Sequence, residues 1–169
     1  EDIEHELVRE SMRMTGVTSG IEITTIADIP SRGTGLGSSS SVTVGLLNAL
    51  HCFAGRSVSA SQLASEACKI EIDILGQPIG RQDQYAASFG GINTINFCQN
   101  GEVLVEPIEI SENIRSRISE EFTLIFTGKS RSASSVLSNS VSEGKSAIEN
   151  LLRIREQADE ASNYINSGD

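Results

Sequence analysis

The stretch Ile29–Ser41 reads IPSRGTGLGSSSS. Its glycines Gly33, Gly35 and Gly37 suit backbone that must take positive φ or let a ligand come close. Serines 38 to 41 offer helix caps and hydroxyls that can donate to phosphate oxygen or ligate a hard cation. An apolar run, SVTVGLLNALHCF, follows at once. The loop therefore leads into a helix N-terminus, where free N–H groups and the positive end of the dipole attract an anion. One reading of this arrangement is a phosphate cradle. A solvent loop closed by a serine cap remains open as the plain reading of this stretch taken alone.

Two better-known glycine signatures fit poorly. A dinucleotide fingerprint needs G-x-G-x-x-G, but Gly37 falls one residue early, the third slot is Ser38, and no acidic ribose partner stands at the expected distance. A P-loop needs G-x-x-x-x-G-K-[ST]; GKS occurs at Gly128–Ser130, but the first glycine slot holds Thr123.

Carboxylates come next. The segment IEIDILGQPIGRQDQYAASFGG sets Glu71 on a helix, breaks the chain at Gly76-Gln77-Pro78, and delivers Asp83 at the head of a second helix. Two carboxylates on adjacent helices can serve as one metal ligand and one general base. Glu71 taken alone, with Asp73, reads as a solvated helix face. Asp83, flanked by glutamines in GRQDQY, reads as functional. Arg131, with Lys129, could hold a sugar phosphate or form a solvated basic loop. His5 and His51 lack partners at metal spacing and read as structural or surface residues.

These groups need elements to position them. HELVRESMRM, His5–Met14, predicts a short amphipathic helix with Leu7 and Val8 on its apolar side. Gly20–Ile29 alternates and predicts a strand carrying Ile21, Ile23 and Ile26. The next helix should turn Val42, Leu46, Ala49, Leu50 and Phe53 to one side. Ser59 or Ser61 caps the helix that carries Glu71. Gly76–Gly80 is a breaker loop, and RQDQYAASF is a short helix stopped by Gly90 and Gly91. INTINF and EVLVEPIEI read as strands paired across CQNG. Ser111 caps SENIRSRISEE, FTLIF is a buried strand, and a helical stretch broken near Gly144 runs to about Ile165. Helices and strands mix without strict alternation, which predicts an α+β fold.

The 169 residues suit a globular domain: 38% are hydrophobic and 21% charged. A net charge of −10 argues against a generic nucleic-acid or anionic-membrane surface. No apolar run reaches membrane-spanning length, and no signal-peptide pattern opens the sequence. Cys52, Cys68 and Cys98 read as reduced, buried small hydrophobes of a cytoplasmic protein. The start at Glu1 and the end at NSGD suggest a piece of a longer protein.

Taken together, the motifs resemble the superfamily of galactokinase, homoserine kinase, mevalonate kinase and phosphomevalonate kinase, the GHMP kinases. Its P-x-x-x-G-L-G-S-S motif is similar to PSRGTGLGSSSS from Pro30, with one extra residue before the core. Its glutamate followed about a dozen residues later by G-x-x-D-Q matches Glu71 and GRQDQ. GLGSSSSVTVGLLNAL, GRQDQYAASFGGIN and FTGKSRSASSVL look most like the sugar kinases acting on D-glycero-D-manno-heptose 7-phosphate, with fucokinase- or galactokinase-like enzymes as the near alternative. A nucleotide-binding module without chemistry is the alternative from another class, and the paired Glu71 and Asp83 argue against it.

The resemblance implies ATP-dependent phosphorylation of a sugar's anomeric hydroxyl. It implies that Gly33, Gly35, Leu36, Gly37, Ser38, Ser39 and Ser40 form the ATP loop, that Ser39 and Glu71 hold Mg²⁺, and that Asp83 is the base. Gly80, Gln82 and Arg131 then face the sugar phosphate. The implied fold is the α+β N-terminal domain of these kinases, like ribosomal protein S5 domain 2 and incomplete at both ends. It would occupy residues 1–130, with 131–169 starting a C-terminal region. A substrate-contacting strand motif is expected before Glu1 and a glycine-rich third motif after Asp169, so the chain alone is expected to be inactive.

Overall fold

The computed structural model describes residues 3–26, 35–125 and 145–167. Among them the chain forms two compact units, one up to Gly90 and one from Gly91 onward. Gly33, Lys129, Arg131 and the expected boundary at 130/131 lie outside the described residues.

The first unit is helical. Helix α1 (Glu6–Thr15) stops at Gly16, whose φ of 72° is left-handed and whose N–H returns to the Arg13 carbonyl. Helix α2 (Ser38–Phe53) follows the glycine loop. Helix α3 (Ala60–Cys68) is capped by Ser59, whose Oγ accepts from the Gln62 N–H at 3.2 Å. It continues without a break as a π-helical turn over Lys69–Ile74, where the Leu75 N–H reaches the Ile70 carbonyl at 2.9 Å, five residues back. Helix α4 (Gln82–Phe89) ends at Gly90, which has φ 64°.

One apolar cluster joins Val44 and Leu47 of α2 to Leu63 and Ala67 of α3 and to Ile70; Leu7, Met14 and Ala87 pack on it from α1 and α4. A second joins Met12, Val17 and Leu50, flanked by Val8, Ile21 and Ile23. Leu47 and Ile70 are fully buried, and each such side chain contributes about 1.5–3 kcal/mol. Polar pairs close the rim. Glu10 is buried and accepts from Arg9 Nε at 2.9 Å and Arg13 Nη1 at 2.8 Å. His51 is buried between Glu66 Oε2 at 2.7 Å and Arg56 Nε at 3.1 Å.

The second unit holds an antiparallel ribbon. Strands β1 (Asn93–Phe97) and β2 (Val103–Pro107) pair with Ile95 opposite Val105 and Phe97 opposite Val103. The turn between them closes on Cys98 N–H to Glu102 O at 2.9 Å, with Gly101 at φ 88°. Helix α5 (Glu112–Glu121) is capped by Ser111, whose Oγ accepts from the Ile114 N–H at 3.3 Å. Helix α6 (Lys145–Ser167) touches β1 through Ser162 and Thr94, whose hydroxyls lie 2.9 Å apart.

Several sequence expectations change. Residues 21–26 are in no ladder, and β1–β2 is the sheet among the described residues. The alternation there is real, because Ile21 and Ile23 are half-buried while Glu22 and Thr24 are exposed. It is met by packing on helices, and a ladder needs a second strand to take its N–H and C=O groups. Helix α2 buries Leu46 and Leu50 as expected and also Thr43, Val44 and Leu47, while Ala49 is exposed and Phe53 stays 60% exposed. The polar Ser40, Thr43 and His51 share that inner face, which hydrophobicity alone hides. Phe122, Leu124 and Ile125 of the FTLIF run form no strand and are exposed. Of the cysteines only Cys68 is buried; Cys52 is exposed, Cys98 is half-buried, and all three are free thiols.

Candidate active site

Gly35 and Gly37 have φ of 70° and 65°, so both turns of the loop use the left-handed region that glycine tolerates. Gly37 is the N-cap of α2 and makes no side-chain capping bond. The first-turn N–H groups of Ser38, Ser39 and Ser40 thus have no acceptor within the helix. Gly35, Leu36 and Ser39 are exposed, Gly37 and Ser38 half-exposed, and Ser40 buried. The loop presents backbone donors on an open surface and turns one serine into the core.

Ser40 points at Glu71. Its Oγ donates to Glu71 Oε2 at 2.8 Å, while Ser39 Oγ hydrogen-bonds Glu71 Oε1. Gln84 Nε2, from α4, donates to Glu71 Oε2 at 2.6 Å. Glu71 is fully buried, which corrects its reading as a solvated helix face. A buried carboxylate is tolerable because three donors surround it. The sequence concealed this because two donors precede it by about thirty residues, and the third sits beyond a loop. Asp73 does fall on the exposed side.

Asp83 stands in the first turn of α4, exposed. Its carboxyl lies against Gly37, where an added Cβ would come within 3.3 Å of Asp83 Cγ and 3.4 Å of Oδ2. Asp83 and the head of α2 are therefore in direct contact, with Glu71 beneath. Gly80 and Gln82 flank this point and are exposed. Gly33 and Arg131 lie outside the described residues.

Cys68 lies one turn before Glu71. Burial pushes its thiol up to about 11; Arg81 opposes the shift, and Glu71 and Asp73 add to it. Burial likewise raises the Tyr85 phenol, whose ring stacks on Phe89 with centroids 6.3 Å apart.

The donor set suits magnesium. A serine hydroxyl and a carboxylate oxygen side by side are hard ligands, and this ion commonly takes one or two protein oxygens and completes its shell with phosphates and water. Among the described residues no cluster of three or more His, Cys, Asp or Glu could form an all-protein cage.

Sequence comparison adds lineage to this geometry. Residues 5–91 match the family model described as GHMP kinases N terminal domain. The chain belongs to the GHMP kinases. Over 112 residues it is 38% identical to a D-glycero-alpha-D-manno-heptose 7-phosphate kinase of Campylobacter jejuni, a match covering 66% of this chain and 33% of that protein. Its structure is similar to the crystal structure of a D-glycero-D-manno-heptose 1-phosphate kinase from Bacteriodes thetaiotaomicron, with a TM-score of 0.82 at 28% identity, covering 100% of this chain and 52% of that one. The chain thus spans about a third to a half of the relatives it matches. The GHMP fold, an α+β N-terminal domain, is as expected from the motifs. No helix among the described residues is long and apolar enough to cross a membrane.

Gln84 is the site residue that motif reading passed over. It was visible as the last letter of G-x-x-D-Q, but the spacing gave it no partner until α4 was folded back onto the π-helical turn.

Proposed function

We propose that the complete protein is an ATP-dependent cytoplasmic sugar kinase that phosphorylates the anomeric hydroxyl of a heptose 7-phosphate-like substrate. The observation that carries this reading is the meeting of Asp83, Glu71 and Ser39 at the open N-terminus of α2. The names of both relatives, each a kinase of a heptose phosphate, support the substrate class.

In this reading the backbone of Gly35, Leu36, Gly37 and Ser38, with Gly33 and Ser40, holds the triphosphate against the helix dipole. Ser39 Oγ and Glu71 Oε1 hold Mg²⁺, which when bound neutralises charge on the phosphates. Asp83 takes the proton of the acceptor hydroxyl as its oxygen bonds to the γ-phosphorus and the bond to ADP breaks. Gly80, Gln82 and Arg131 face the sugar phosphate. Such catalysis is mostly positioning and electrostatic stabilisation, which a rigid helix head supplies. The 169 residues by themselves turn over negligibly, since they span only part of the relatives they match.

The test is a coupled ADP-release assay on the complete protein with heptose 7-phosphate, fucose and galactose, and ³¹P NMR of the product. Heptose-dependent turnover with a new anomeric phosphate supports the reading. Turnover on fucose or galactose alone moves the substrate class. ATP binding without turnover on any sugar would reject kinase activity in favour of a binding module.

A further inference from the structure

Gln84 is the polar residue of this site that the proposed chemistry leaves unused. Its side chain is fully buried, its Nε2 donates to Glu71 at 2.6 Å, and its Oε1 has no partner among the described residues. A side chain with half its hydrogen-bonding capacity unmet is a poor way to fill a core slot, and an isosteric methionine would pack there without the penalty. The carboxylate needs the NH₂ group, because Glu71 accepts and only the amide nitrogen can donate.

The donors divide unevenly over the two oxygens. Oε2 receives both Ser40 Oγ at 2.8 Å and Gln84 Nε2 at 2.6 Å, and both of those residues are buried. Among the described residues Oε1 has Ser39 as its donor, and Ser39 is exposed. One oxygen is pinned by two buried donors, and the other meets the hydroxyl of an exposed serine at the head of α2. A serine O–H can rotate away, whereas a planar amide on a packed helix holds one direction.

We propose that Gln84 is a positioning residue for metal binding: it anchors Glu71 Oε2 so that Oε1, with Ser39 Oγ, faces a divalent cation. This rests on the reading of the site as a metal–nucleotide site. Residues that orient metal-ligating carboxylates in this way are commonly worth about 10–100-fold in metal affinity.

The experiment uses the complete protein and Gln84→Met, with Mn²⁺ binding followed by electron paramagnetic resonance in the presence of a non-hydrolysable ATP analogue. Binding of the metal-free analogue and the melting temperature are measured in parallel. The expected result is Mn²⁺ affinity about 10–100-fold lower, with metal-free nucleotide affinity unchanged and kcat recovered at high Mg²⁺. Gln84→Leu removes the same donor with a different apolar shape and should give the same signature. It carries the test if the methionine variant fails to fold. Wild-type Mn²⁺ affinity in a folded variant, with only the melting temperature lowered, overturns the proposal and leaves Gln84 a packing residue. Absence of Mn²⁺–nucleotide binding in the unmutated protein is a different failure, and it overturns the metal-site reading together with this one.

Discussion

The Asp83 carboxyl rests against the backbone of Gly37, close enough that a Cβ there would sit 3.3 Å from Asp83 Cγ. Gly37 also holds φ 65°. Two separate constraints thus meet at one glycine, and a second glycine separates them. Gly55 has φ 72° with nothing within 4 Å of its would-be Cβ. Gly37→Ala and Gly55→Ala should each lose about 1–2 kcal/mol from the left-handed backbone. Only Gly37→Ala should also displace Asp83 and lower turnover. Urea unfolding and steady-state kinetics on both variants check this, and equal kinetic effects would show that the contact is immaterial.

Asp83→Asn keeps the shape and the helix-head position while removing the base. Turnover should fall by about 10²–10⁴ with ATP affinity and melting temperature near those of the parent protein. A small rate change accompanied by lost stability would make Asp83 a structural helix acid.

Glu71→Gln exchanges a group that accepts from three donors for one that must itself donate. Mg²⁺-dependent ATP use should weaken far more than binding of metal-free nucleotide, measured by calorimetry with and without the ion. An unchanged Mg²⁺ dependence would remove Glu71 from the metal site.

His51 sits at the far end of α2 from Gly37. Arg56 Nε donates to its Nδ1, so the ring holds its proton on Nε2 and donates it to Glu66. His51→Ala leaves Glu66 and Arg56 without this shared partner and should cost about 1–3 kcal/mol in urea unfolding. Nucleotide affinity at low temperature should not change, because the loop lies at the other end of the helix.

The Cys68 thiol is raised by burial from 9.0 to about 11. Between these values the folded chain keeps a proton that the unfolded chain has lost. The resulting stability is complete below about pH 9 and is lost as pH rises through about 11. The melting temperature should therefore drop more steeply over that window than in Cys68→Ala. At pH 8 iodoacetamide should alkylate the exposed Cys52 well before Cys68.

Much of this site was legible in its letters. The glycine-serine loop, the caps at Ser59 and Ser111, the ribbon across CQNG and the two carboxylates all depend on local chemistry, and local chemistry is what neighbouring residues reveal. The inward turn of Glu71 was not legible, since a carboxylate in IEIDI looks solvated until Ser39, Ser40 and Gln84 arrive from elsewhere in the chain. The inner face of α2 was legible only in part: Leu46 and Leu50 are buried as expected, but His51 is held there by Glu66 of α3 and Thr43 by the Ser39 carbonyl of its own helix. Residues 20–26 had the alternation of a strand without a neighbour to pair with, and FTLIF had the apolarity of one without a cover among the described residues.

The π-helical turn over Lys69–Ile74 makes the spacing of the site a matter of counting. Ile74, which an unbroken α-helix would carry inward after Leu63, Ala67 and Ile70, is instead 47% exposed. The wide turn accommodates the equivalent of one surplus residue. Deleting one residue there would let the segment relax to the commoner helix and leave everything downstream nearly in place, because the surplus residue is what the wide turn absorbs. Asp83 would then still meet Gly37, whereas a deletion in the Gly76–Gly80 loop has no such slack to draw on. Between Glu71 and Asp83, the loss of one residue should therefore be tolerated in the π-helical turn more readily than in the loop that follows it.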